Sequence, residues 1–170
     1  MSDVRFSISY PRLSVFICGL IFLLSFPVFA QNVPSPKSVL GFQPTDDKTI
    51  ADWTQIGDYF TKLDAASDRV TVKEIGKTTL GKPFIVAFIS AADNIKNLEK
   101  YRAISAQLAD PRTIKDQKEL DNLIKNGKTI VSISCSIHST EIVASQMSMN
   151  LAFELATAKD EETKETSRRK

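Results

Sequence analysis

Histidine is almost absent from this chain. Its 170 residues include one, His138. Any site needing several imidazoles on one metal is therefore at most partly present in these residues. Cysteine is nearly as scarce, at two residues, and Cys18 lies in an N-terminal apolar run. Beyond that run only Cys135 remains, so an internal disulfide and the disulfide-scaffold class are excluded. Charge of one sign is also lacking. Lys and Arg number 22 against 20 Asp and Glu, for a formal net charge of +2. No basic stripe stands out, so nucleic acid is not an expected partner. Internal repeats and low-complexity tracts are absent.

What is present begins with an export pattern. Arg5 and Arg12 precede or open an apolar run over residues 13–30, centred on Phe16, Ile17, Leu20, Ile21, Phe22, Leu23 and Leu24. Val28, Phe29 and Ala30 end it near the positions a signal peptidase reads, and polar, proline-rich residues 31–36 follow. This order predicts a secretory signal peptide over residues 1–30 and a secreted or periplasmic product with no stable membrane association after cleavage. The alternative is a membrane anchor. It is disfavoured by an apolar core near the lower length limit for a span and by Pro27 within it. Ile17 before Cys18 argues against a lipidation site there.

The remainder is long enough for one small domain with a core. Residues 31–48 read as an extended lead-in, broken by Pro34, Pro36, Pro44 and the Asp46–Asp47 pair. Residues 49–66 read as a helix, with Ile50, Trp53, Ile56, Tyr59, Phe60 and Leu63 on one face and Asp46, Asp47 or Thr49 as its cap. Residues 70–75 alternate like a strand. Residues 84–90 form a denser apolar run, expected to be a strand buried on both faces. Helical patterns follow over 94–109 and 113–125, with Asn126–Gly127 as a stop. Residues 129–137 give the clearest strand pattern. Val131, Ile133, Cys135 and Ile137 point one way, and Ser132, Ser134, Ser136 and His138 the other; Cys135 is expected to pack there. Residues 141–158 form a strong helix pattern. Val143, Met147, Leu151 and Leu155 make a row, and Ser139 or Thr140 is the expected cap. Residues 159–170 are a charged tail expected to fray.

Two motifs invite a functional reading. Residues 76–83 mimic a phosphate-binding loop, with two glycines five apart and Lys82 after the second. Such a loop must open a helix whose N-terminal amides hold the anion. Here it opens an apolar strand, and Pro83 removes an amide donor, so a turn between strands explains the glycines. The second motif is His138-Ser139-Thr140-Glu141. A histidine ending a strand is commonly a hydrogen-bonded structural residue, and a glutamate in the first turn of a helix is commonly a favourable dipole charge. At the junction of strand and helix, however, the turn brings Glu141 back beside His138. An imidazole and a carboxylate, with one more imidazole and a water, make the ligand set of a hydrolytic zinc site.

Taken in order, three elements resemble a known family. They are the helix carrying Trp53 and Tyr59, the hairpin from Val70 through Gly76 and Gly81 to Pro83, and the Ser134-to-Glu141 stretch before an Ala- and Met-rich helix. They are similar to the N-terminal part of a zinc carboxypeptidase of the carboxypeptidase A-like metallopeptidases. The resemblance covers residues 49–158. It implies an α/β class: a partial mixed sheet flanked by helices, the N-terminal part of an α/β/α domain. It further implies that His138 and Glu141 match the family's His-x-x-Glu zinc motif, and that peptide or protein substrates lose C-terminal residues to a zinc-activated water. The family's third zinc ligand, general base, carboxylate-binding arginines and covering tyrosine would lie further downstream. Thr140 also stands where the family often has arginine. The expectation is a truncated chain, incomplete as a catalyst, with no catalytic residue assigned within it. The alternative is an exported, non-catalytic α/β binding module.

Overall fold

The computed structural model describes residues 32–138 and 140–159. The signal peptide expected over residues 1–30 and the tail beyond residue 159 lie outside the described residues. The lead-in is not wholly extended. Helix α1 spans Pro36–Leu40: Ser35 caps it by accepting from Ser38 N–H at 3.2 Å, and Gly41 closes it at φ 82°. Proline breaks a helix interior but suits the first helical position, where no amide is needed. Pro36 therefore starts this turn instead of preventing it.

Helix α2, Trp53–Ala66, begins later than its apolar pattern, because Asp52 supplies a stronger start. The Asp52 carboxylate accepts from Gln55 N–H at 2.9 Å, and the Gln55 side chain accepts from Asp52 N–H at 3.0 Å. This reciprocal capping box satisfies two amides that a helix start leaves open. Asp46, Asp47 and Thr49 do not cap the helix, and Ile50 stays exposed. Ile56, Tyr59, Phe60 and Leu63 form the buried face, as their spacing predicts.

Strands β1, Val70–Lys77, and β2, Pro83–Ile89, pair antiparallel, with Val70 opposite Ile89 and Val72 opposite Ala87. The pairing shifts by one residue between Glu74 and Gly76. The turn closes through Thr78 N–H to Lys82 C=O at 2.8 Å and Gly81 N–H to Thr78 C=O at 2.9 Å. Gly81 sits at φ 71°, a left-handed conformation that glycine adopts without a Cβ clash. The expectation that β2 is buried on both faces is overturned. Ile85, Ala87 and Ile89 pack with Val72 against the core, while Phe84 and Phe88 face out at 54% and 37% exposure. The period of two holds, with the core-packed residues alternating with the more exposed Phe84 and Phe88.

Two helices replace the one expected over 94–109. Helix α3, Ala92–Lys96, and helix α4, Leu98–Ala109, meet at Asn97, whose backbone (φ −109°, ψ 21°) leaves the helical region. A 3₁₀ turn, Pro111–Thr113, leads to helix α5, Gln117–Asn126, capped by Asp116 through Glu119 N–H at 2.8 Å. Ile104 of α4 and Leu123 of α5 are the buried residues of this pair.

Helix α6, Ile142–Thr157, runs through the core beside α2. Its buried face is Gln146, Met149, Ala152 and Ala156. The expected row is displaced, since Val143 is 76% exposed and Met147 42%. Met149, Ala152 and Ala156 join Tyr59 and Leu63 in one buried cluster, and Val143 and Met147 turn aside. Three polar ties hold α6 along its length. Gln146 grips the Ala51 backbone, Gln43 Nε2 donates to Asn150 Oδ1 at 3.3 Å, and Arg69 Nη1 donates to the carbonyls of Ala156 and Ala158 at 3.3 and 3.1 Å. The last tie places a cation where the helix dipole ends negative.

The strand expected over residues 129–137 does not form. Period-two alternation marks a chain able to pair, but a strand exists only where a neighbour supplies the ladder. Among the described residues the sheet contains β1 and β2 alone. Ile130, Val131, Ile133 and Ile137 are accordingly 59–80% exposed. Cys135 is half-buried and lies in irregular backbone, so it is not a packed strand residue. The whole is a mixed α/β arrangement of helices on a two-stranded antiparallel sheet. Among the described residues, no helix is long and apolar enough to cross a membrane.

Candidate metal-binding turn

The site lies where the irregular segment enters α6. Ser136 reverses the chain at φ 64°, a conformation that costs a non-glycine residue roughly 1 kcal/mol. Glu141 N–H then donates to His138 C=O at 3.0 Å, closing a tight turn. Glu141 stands at the helix N-cap but caps nothing there; its side chain folds back toward His138. Its Oε2 accepts from His138 N–H at 3.3 Å, and its Oε1 lies 2.7 Å from His138 Nδ1. An ionised carboxylate only accepts, so Nδ1 is the protonated nitrogen in this contact. Of the two expected caps, Thr140 does not serve, because the N-cap position falls to Glu141; Ser139 lies outside the described residues.

Both side chains face solvent, with His138 at 72% and Glu141 at 52% exposure. The hydrogen bond from His138 holds the Glu141 carboxyl below the usual carboxylate range, helped by the His138 amide. The start of the 16-residue α6 adds the positive end of a helix dipole, which also favours the anion. Glu141 is therefore ionised and aimed, and one of its oxygens is anchored by an amide.

This pair fits zinc as two of its ligands. A neutral imidazole nitrogen and a carboxylate oxygen are ordinary zinc donors, and here they point at each other. Two atoms sharing a tetrahedral zinc stand roughly 3.3 Å apart, given bonds of about 2.0–2.2 Å. A cation replacing the shared proton thus needs the 2.7 Å contact to open by a fraction of an ångström. The pair does not make a full ligand set. Among the described residues, no group of three or more His, Cys, Asp and Glu side chains is placed to hold a metal.

His138 and Glu141 lie side by side at this turn, and Ser136 joins them, a residue that the sequence pattern did not mark as part of the site. Its Oγ donates to Glu141 C=O at 2.6 Å and accepts from Ser145 N–H at 3.1 Å. A serine two residues before the histidine, on an otherwise small-residue face, was the available signal; its positive φ was not readable. Residues 76–83 form the hairpin turn, as expected from Pro83, and open no helix.

The family model for zinc carboxypeptidase matches residues 56–169. It takes in most of α2, the hairpin, α3 to α6 and the His138–Glu141 turn, well over half the chain. The chain belongs to the zinc carboxypeptidase family. No match was found among curated proteins or among solved structures.

Proposed function

We propose that this chain contributes a two-residue zinc foothold, His138 and Glu141, to an exported metallocarboxypeptidase that removes C-terminal residues from peptides or proteins. The observation that carries the reading is the 2.7 Å approach of Nδ1 to Oε1, in a turn that also secures the second carboxylate oxygen. Family membership supports the hydrolytic chemistry and the choice of zinc. When bound, zinc supplies Lewis-acid polarisation of a scissile carbonyl and lowers the pKa of its water toward about 7. The chain's own residues do the holding. Glu141 brings negative charge to offset the cation, and His138 brings a nitrogen whose ring is oriented by that carboxylate. In this reading residues 1–30 direct export and residues 49–158 form the peptidase-related body.

Binding and turnover separate in this proposal. Hydrolytic zinc sites use three protein ligands and an open position, and His138 is the one histidine of these 170 residues. The chain by itself is expected to bind zinc weakly and to leave peptides uncut. A zinc titration followed by thermal melting tests the first part. A ligand that binds only the folded state raises the melting temperature. The rise is expected in the wild type and absent in His138→Ala and Glu141→Ala. No rise in the wild type, or an equal rise in all three, refutes the foothold and favours a non-catalytic binding module. Peptide hydrolysis by the chain, abolished by chelation and by His138→Ala, would overturn the second part.

A further inference from the structure

The start of α6 is built unusually. A helix normally opens with its fifth amide donating to the N-cap carbonyl, which here would join Ser145 N–H to Glu141 C=O. The Ser136 hydroxyl bridges these same two groups. It accepts from Ser145 N–H at 3.1 Å and donates to Glu141 C=O at 2.6 Å. A hydroxyl has one donor and acceptor capacity to spare, so it can relay this bond. The N-cap residue itself offers no side-chain cap. Ser136 holds a left-handed φ of 64° to reach this position. Strain of this kind persists where surrounding bonds over-determine it, and it concentrates at functional sites.

We propose that Ser136 is a positioning residue for the zinc pair. Its hydroxyl locks the Glu141 backbone to the chain two residues before His138, and so sets the separation of Oε1 and Nδ1. The proposal rests on His138 and Glu141 being the metal pair, although its effect on their geometry does not require metal. Outer-shell groups that orient ligands typically change metal affinity 10- to 100-fold. Ser136 does this through the backbone of one ligand, from the point where the preceding segment meets the helix.

Two substitutions separate the hydroxyl from the backbone. Ser136→Gly removes the hydroxyl and relieves the left-handed strain; Ser136→Ala removes the hydroxyl and keeps the strain. Because the chain has one histidine, the imidazole nitrogen resonances in a long-range ¹⁵N NMR experiment belong to His138 alone. In the metal-free, folded chain at neutral pH, the wild type is expected to show a ring fixed with its proton on Nδ1. Both variants are expected to shift toward the averaged pattern of an unrestrained ring, and both to weaken zinc binding about 10-fold or more. An unchanged ring signature in both variants overturns the proposal. So does a change in Ser136→Ala that Ser136→Gly does not share, because backbone conformation then sets the pair without the hydroxyl. If the wild type binds no zinc while the ring signature still moves in both variants, the zinc reading fails and the positioning role of Ser136 stands.

Discussion

Gln146 is the side chain whose loss should disturb this molecule most for its size. It is 5% exposed and makes two bonds to Ala51, itself 4% exposed. Gln146 Oε1 accepts from Ala51 N–H at 3.4 Å, and Nε2 donates to Ala51 C=O at 3.2 Å. Ala51 directly precedes the Asp52 cap of α2, and Gln146 lies in the first turns of α6. The clamp therefore fixes the end of α6 that carries Glu141. Gln146→Leu keeps most of the volume but strands both Ala51 groups. Each stranded buried group costs about 1–3 kcal/mol. The 3.4 Å bond is at the edge of useful length, so the amide share belongs at the low end, and leucine burial returns part of the loss. A net destabilisation of about 1–3 kcal/mol is expected from urea unfolding. Gln146→Glu sharpens the test. A buried carboxylate cannot donate to Ala51 C=O, and desolvation raises its pKa in the folded state. A raised folded pKa means that stability is greatest below the unfolded value, about 4.3 for glutamate, and is lost as pH climbs through the folded value. The deficit of Gln146→Glu relative to wild type, measured at the same pH, should therefore be larger at neutral pH than near pH 4. A deficit below about 0.5 kcal/mol for Gln146→Leu, the scale of an ordinary surface change, would refute the clamp. A pH-independent deficit for Gln146→Glu would refute the assigned donor.

Two further outcomes follow from the same geometry. Gly81→Ala places a Cβ on a residue at φ 71° with open space around it; the cost is conformational, about 1 kcal/mol in equilibrium unfolding, and a neutral result would show that the turn relaxes. The Glu141 carboxyl, held below the ordinary carboxylate range by His138, supports the turn above that ordinary value and releases it as pH falls through the lowered one. The Glu141 carboxyl carbon shift in NMR should accordingly titrate below that of a model glutamate, and the His138→Ala variant should bring it back up.

Local patterns survived the passage from sequence to structure where a partner lay close by. The α2 face from Ile56 to Leu63 is buried as its spacing requires, because Val70, Met149 and Ala152 come to meet it. The hairpin formed where Gly76, Gly81 and Pro83 permit it, and the His138–Glu141 pair formed because a short turn needs only local bonds. The failures involve choices among competing local groups or dependence on distant ones. Asp52 prevailed over three other caps because Gln55 could answer it. The α6 face rotated toward its alanines because close packing with α2 outweighed the larger apolar row. Residues 129–137 hold a strong strand pattern that no local rule can satisfy, since a strand's energy lies in its neighbour.

That last point bears on the metal pair. His138 is reached through residues 130–137, whose apolar side chains are largely exposed and which belong to no sheet among the described residues. From the other side, α6 is fastened by Gln146, Asn150 and the Arg69 tie. The two proposed ligands thus sit on opposite sides of a junction. Glu141 belongs to the fastened helix and His138 to the segment with exposed apolar side chains, and the Ser136 hydroxyl bonds that segment to the helix. Metal affinity in such a junction depends on how far the His138 side is restrained before binding, because ordering it during binding subtracts from the gain. Pairing residues 130–137 with a neighbouring strand would restrain His138 without touching either ligand. Zinc affinity should then rise with strand formation, and the increase should be smaller in Ser136→Gly, where the link between segment and helix has been cut.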